Sequence, residues 1–157
     1  MILKEKERAA IEDLQTQEKS CVEKYGKYAK EAKDPELKNL FSRLQKEEQK
    51  HYDSLSQVLN GSVPDCDCND SQGRDYTPKA AYSSMSSNAD KEHDAFLATD
   101  CIGTEKLVSG EYNTDVFANK EQTNNPEIQK EQVSLIKYKE NIFKKIINKI
   151  KIIFKIK

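Results

Sequence analysis

Two stretches of this chain repeat each other, and the repeat limits the folds open to it. Asp13-Leu-Gln-Thr-Gln-Glu18-Lys19 parallels Asp100-Cys-Ile-Gly-Thr-Glu105-Lys106 at an offset of 87 residues, and Asp34-Pro-Glu-Leu parallels Asn125-Pro-Glu-Ile at an offset of 91. Apolar residues in the first copy recur at three- and four-residue steps: Ile11, Leu14, Cys21/Val22, Tyr25, Tyr28/Ala29 and Ala32. That spacing predicts one helix from about Lys4 to Ala32 with a single inward face. A second helix opens at Asp34-Pro35-Glu36, an N-cap followed by proline and an acid in the first turn. Its stripe, Leu37, Leu40/Phe41, Leu44, Tyr52, Leu55 and Val58/Leu59, runs to a stop at Asn60-Gly61. Each half of the repeat is therefore a helical hairpin.

Between 60 and 87 the sequence turns to Gly, Ser, Asp, Asn and Pro without periodicity, which marks a long connection. Periodicity returns with Phe96/Leu97, Cys101, Thr104/Glu105, Val108, Tyr112 and Val116, predicting a third helix over about 88–119. The repeat places the start of a fourth helix at Pro126. Two hairpins joined by one long crossover give an all-α, ferritin-like four-helix bundle. Its domain spans residues 1–136, followed by a segment of different composition, 137–157.

Polar groups on the inward stripes are the informative positions. Glu18 interrupts the first, Glu48 and His51 the second, and Glu105 the third. A carboxylate desolvated without a partner costs several kcal/mol, so these groups need a common explanation. Bundles that hold two metal ions use one Glu from each of two helices and a Glu-x-x-His from each of the other two. Glu18, Glu105 and the pair Glu48/His51 supply three of the four contributions. The repeat puts the fourth at positions 139 and 142, where Lys139 and Ile142 stand. The competing explanation pairs Glu48 with His51, or with Lys and Tyr across the bundle, and lets Glu18 and Glu105 reach water.

Several phrases together carry a resemblance to a known family. They are Glu12-Asp-Leu-Gln-Thr-Gln-Glu-Lys19, the run from Asp34 to His51, Asp90-Lys-Glu-His-Asp-Ala-Phe-Leu-Ala-Thr-Asp100, Gly103-Thr-Glu-Lys106 and Tyr112-Asn-Thr-Asp-Val-Phe117. Over roughly residues 5–130 the chain resembles the spore coat protein F family of endospore-forming Firmicutes, whose members are ferritin-like. The resemblance implies an architectural, non-enzymatic part in the spore coat, made in the mother-cell cytoplasm and assembled with other coat proteins and with copies of itself. It also implies that Glu18, Glu48, His51 and Glu105 stand where the wider ferritin-like class carries metal. On that alternative the cofactor is iron or manganese and the chemistry acts on oxygen or peroxide. On the structural reading there is no cofactor. After Lys130 the sequence departs from the family pattern, which continues with a helix ending in Glu-Glu-x-x-His.

Charge separates the tail from the rest. Residues 1–57 hold twelve basic and twelve acidic side chains, residues 58–136 six and fourteen, and residues 137–157 eight Lys against one Glu. Apart from Glu140 the tail uses only Lys, Tyr, Asn, Ile and Phe, amino acids whose codons need only A and T. A frameshift in an AT-rich gene is one reading of that composition. Ile142/Phe143, Ile146/Ile147, Ile150 and Ile153/Phe154 fall at helical spacing among lysines, so the tail also reads as a basic amphipathic helix. Such a helix fills the fourth place in the bundle or lies on an anionic membrane, the first being favoured.

Four cysteines are too few and too unevenly spaced for a disulfide framework. Cys66 and Cys68 sit one residue apart in an acidic loop, either incidental there or available for cross-links to other coat proteins. Cys21 and Cys101 read as small core residues. The N-terminus is charged from the fourth residue, so no secretory signal is expected. With 26 basic and 27 acidic residues overall and no phosphate loop or basic-aromatic motif, nucleic acid is not an expected partner.

Overall fold

The structure is a computed structural model that describes residues 3–64 and 78–120, with side chains through residue 111. The described residues are all-helical: α1 (Glu5–Glu31), α2 (Pro35–Leu59) and α3 (Asn88–Lys120). The expected start of a fourth helix at Pro126, the 137–157 tail and the Cys66/Cys68 pair lie outside the described residues. None of the three helices is long and apolar enough to cross a membrane.

The helix ends form where the sequence provides partners for their unpaired backbone groups. Asp34 caps α2, its Oδ1 accepting from the Glu36 and Leu37 amides at 2.7 and 3.1 Å. At the other end Gly61 takes φ 82°, which a residue with a Cβ adopts only under strain. The Gly61 amide donates to the Val58 carbonyl and the Ser62 amide to the Gln57 carbonyl, both at 2.9 Å, a Schellman closure. Before α3, Ser87 and Asp90 cap each other's amides at 3.1 and 2.9 Å. Those bonds to Ser87 hold the exposed Asp90 carboxyl below the usual carboxylate range.

Helices α1 and α2 form an antiparallel hairpin closed by one apolar seam. Leu14, Cys21, Tyr25 and Ala32 meet Leu37, Leu40, Phe41, Leu44 and Leu55, all buried. The Tyr25 and Phe41 rings stack at 6.3 Å, and Tyr28 meets the Phe41 ring edge-on at 5.4 Å. Full burial of a residue such as Phe41 contributes about 1.5–3 kcal/mol. A Cβ at Gly26 would stand 2.5 Å from Nε2 of Gln45, the end of a flexible side chain that would have to swing aside.

Helix α3 packs on α1 and runs antiparallel to it. Asp94 lies by the Lys33 and Asp34 amides, Asp100 by Lys24 and Tyr28, and Glu105 by Tyr25. Leu97, Ala98, Cys101 and Val108 supply its apolar contacts. Phe96, expected on the inward stripe beside Leu97, is instead 66% exposed. The inward arc of α3 is occupied by Asp94, Leu97, Ala98, Cys101 and Glu105, which rotates Phe96 to the outside.

Two clamps hold α3 in place. The fully buried Asp94 accepts from the Lys33 and Asp34 amides at 2.8 Å each and from the Tyr82 hydroxyl at 3.0 Å. Asp34 in turn accepts from the Ala81 amide, tying the segment that enters α3 to the α1–α2 turn. On the flank, Asp100 accepts from the Tyr28 hydroxyl at 2.6 Å and from Nζ of Lys24 at 2.9 Å, and Lys24 also reaches Thr104 at 2.7 Å.

Replacing Asp94 by Ala strands two backbone donors and a phenol, so Asp94→Ala is expected to cost about 3 kcal/mol in urea denaturation. The Tyr28 hydrogen bond, reinforced by Lys24, holds the Asp100 carboxyl below the ordinary range. A lowered folded-state pKa stabilises above the unfolded value and is lost as pH falls through the folded one. Stability is therefore expected to drop on acidification below about pH 4, and Asp100→Asn is expected to flatten that acid limb in pH-dependent melts.

A buried Glu–Glu–His cluster as the candidate functional site

Three of the four sequence-predicted site residues come together between α1 and α2. Glu18 follows Leu14 by one turn on the inward face of α1, and Glu48 and His51 stand one turn apart on the inward face of α2. Glu18 is 0% exposed, Glu48 2% and His51 8%. Each offers one ligand atom such that all three lie within 4.8 Å of one another. Nδ1 of His51 stands 3.1 Å from Oε2 of Glu48 and 3.8 Å from Oε2 of Glu18.

The i, i+3 spacing of Glu48 and His51 brings both side chains over the same turn. The hairpin then presents Glu18 from the opposing helix. Two carboxylates in a desolvated seam repel each other unless positive charge stands between them. A proton on one carboxyl, the imidazole as a cation, or a metal ion with the imidazole as a neutral ligand each relieves that repulsion.

The donor set suits a metal. Donors about 2.0–2.2 Å from one ion lie within roughly 4.4 Å of each other, close to the spacing present. Two carboxylate oxygens and one imidazole nitrogen form a hard-to-borderline set that takes iron, manganese or zinc. The direct Glu48–His51 contact matches equally the competing sequence expectation, in which these two pair with each other.

Glu105, the fourth predicted residue, is buried on α3 as expected, at 6% exposure, but it accepts a hydrogen bond from the Tyr25 hydroxyl of α1 and is not one of the three clustered residues. Burial, with the nearby Cys101 and Glu105, pushes the Tyr25 phenol far above its usual range, so it stays protonated and donates. Sequence reasoning put Tyr25 on the stripe without seeing this role. The signal available was that a phenol and a carboxylate share the interface of two helices that the repeat makes equivalent.

Cys101 sits beside this pair, and burial together with Glu105 raises its thiol pKa well above normal. A thiol that resists ionisation is a poor nucleophile and a poor ligand, in keeping with the core role expected for it.

Comparison with known proteins adds no assignment, since no protein-family description, curated protein or solved structure matches the chain.

Removing the imidazole leaves Glu18 and Glu48 facing each other across the seam. His51→Ala is therefore expected to destabilise the metal-free protein by about 3 kcal/mol in chemical denaturation, well beyond the loss of packing at an 8% exposed residue.

Proposed function

We propose that this chain is a structural protein of the bacterial endospore coat, a ferritin-like bundle that acts through helix packing and protein contacts and not through turnover. The resemblance of its sequence phrases to the spore coat protein F family supports this reading. The observation that carries it is the use made of the fourth predicted ligand. Glu105 is engaged by Tyr25 through one carboxylate oxygen across the α1–α3 interface, so a group that a two-metal centre would require also joins two helices. Asp34, Asp94 and Asp100 are used in the same way.

On this proposal residues beyond α3 complete the bundle as a fourth helix, and the partners are other coat proteins and further copies of the chain. An epitope-tagged chain in a sporulating host is the direct test. Recovery in the detergent-extractable coat fraction of purified spores, with none in the spore core, is the expected result. Recovery only in the core or in vegetative cytoplasm would overturn the assignment.

A second reading is favoured by one specific observation, the convergence of Glu18, Glu48 and His51. These residues would hold a single divalent cation, with iron or manganese supplying redox chemistry toward oxygen or peroxide. Titration of EDTA-treated protein with Mn(II) or Co(II), followed by calorimetry, separates the readings. The metal reading expects one ion per chain, lost in the Glu48→Ala/His51→Ala double variant. Equal, weak uptake by both proteins removes it and leaves the cluster as part of the scaffold.

A further inference from the structure

Asn60-Gly61 ends α2 and is also a reactive pair, the one place in the sequence where glycine follows asparagine. Asparagine is among the chemically labile side chains. Its loss runs through its own neighbour, whose amide nitrogen attacks the carboxamide carbon and closes a five-membered imide. Glycine, with no Cβ, leaves that approach unhindered. Asn60 is exposed, so water reaches the imide once it forms.

The fold restrains this reaction through backbone geometry. The ring closes only when Cβ of Asn60 and the Gly61 nitrogen are nearly eclipsed about the Cα–C bond. Asn60 stands at ψ 7°, which eclipses its own nitrogen with that of Gly61 and leaves Cβ about 120° away. The Gly61 amide is also engaged, donating to the Val58 carbonyl at 2.9 Å, and the Ser62 amide donates to the Gln57 carbonyl at 2.9 Å. Turning ψ far enough for attack breaks both bonds, so the last turn must open first. Two ties from α1 oppose that opening. Arg8 donates from Nη2 to the Leu59 carbonyl at 3.1 Å, and Gln15 from Nε2 to Oγ of Ser56 at 2.7 Å.

We propose that Asn60-Gly61 is a site of spontaneous covalent modification whose rate is set by opening of the last turn of α2. In the open turn the Gly61 nitrogen bonds to Cγ of Asn60 and gives up its proton, the Cγ–Nδ2 bond breaks, and Nδ2 leaves as ammonia. Water then adds to either imide carbonyl and opens the ring, leaving aspartate or, where the chain now runs through Cγ, isoaspartate. No electron donor or acceptor is needed. Either product adds a negative charge at the negative end of a helix whose last turn holds no basic residue. Isoaspartate also adds one atom to the backbone, which takes the Gly61 and Ser62 amides out of register with their carbonyls. The change is one-way and loosens the end of α2. It depends neither on the coat reading nor on a bound cation.

Peptide mapping by mass spectrometry of the full chain held at neutral pH tests the proposal, with conversion of amide to acid localised to position 60 by fragmentation. The folded chain is expected to accumulate the acid about tenfold more slowly than the same chain in denaturant, with isoaspartate present beside aspartate. Arg8→Ala and Gln15→Ala are each expected to raise the folded-state rate about threefold and to leave the rate in denaturant unchanged. Acid formed equally fast in the folded and denatured chain, or in the denatured chain alone, would overturn the proposal, as would a folded-state rate unmoved by both variants. Hydrogen exchange gives a second readout. Exchange of the Gly61 and Ser62 amides is expected to rise in the same proportion in both variants while that of the Leu44 amide stays as it is. A parallel rise at Leu44 would assign the effect to global unfolding and overturn the role of the turn.

Discussion

The carboxylate of Asp94 is the interaction on which the arrangement of the three helices depends. It accepts the amides of Lys33 and Asp34, two donors exposed by the break between α1 and α2, and it does so from a helix some 60 residues further on. A tight turn between antiparallel helices leaves such amides without helical partners. A buried acid on a third helix satisfies them and fixes that helix's height at the same time. Tyr82 and the Ala81 amide extend the same network to the segment entering α3. Once that height is set, Asp100 meets Lys24 and Tyr28 one to two turns along, and Glu105 meets Tyr25 beyond them. The α1–α3 interface is a ladder whose first rung is Asp94.

This ladder explains how so many charged groups sit in a small core. Glu18, Asp34, Glu48, His51, Asp94 and Glu105 are all buried, an arrangement that destabilises a helical domain unless every group has a defined role. Asp34 and Asp94 satisfy backbone amides, and Glu105 takes a phenol whose own ionisation is suppressed by burial. Glu18, Glu48 and His51 converge on one another. The acids thus act in two ways, three as connectors between segments and two, with the histidine, as a compact cluster.

The sequence made the secondary structure legible because its signals were local. Asp34-Pro35-Glu36 and Asn60-Gly61 bracket α2 to the residue, and periodicity located α1 and α3 to within one or two positions. The inward placement of Glu18, Glu48, His51 and Glu105 followed from the same periodicity. What the sequence did not reveal were pairings set by tertiary register. Asp94 precedes Leu97 by three residues and so continues the α3 stripe toward its N-terminus, yet its partners are backbone amides, which leave no mark in a sequence. Phe96 was placed on the stripe because it adjoins Leu97, and only the rotation of α3 on α1 distinguishes the two. Glu105 accepts from Tyr25, 80 positions away in the chain, a pairing that no local signal predicts.

Helix α1 contacts both other helices, and its two sets of partners lie at very different distances along the chain. Gln15 reaches Ser56 across 41 positions, whereas Tyr25 reaches Glu105 across 80. In the ideal-chain limit the entropy of closing a loop grows only logarithmically, about 0.6 kcal/mol for each doubling of length. Docking α3 after the hairpin therefore costs little more than forming the hairpin itself. By the same arithmetic added length between Pro64 and Pro78 costs little closure entropy, whereas an insertion between Ala81 and α3 would pull apart the ties to Asp34 and Asp94.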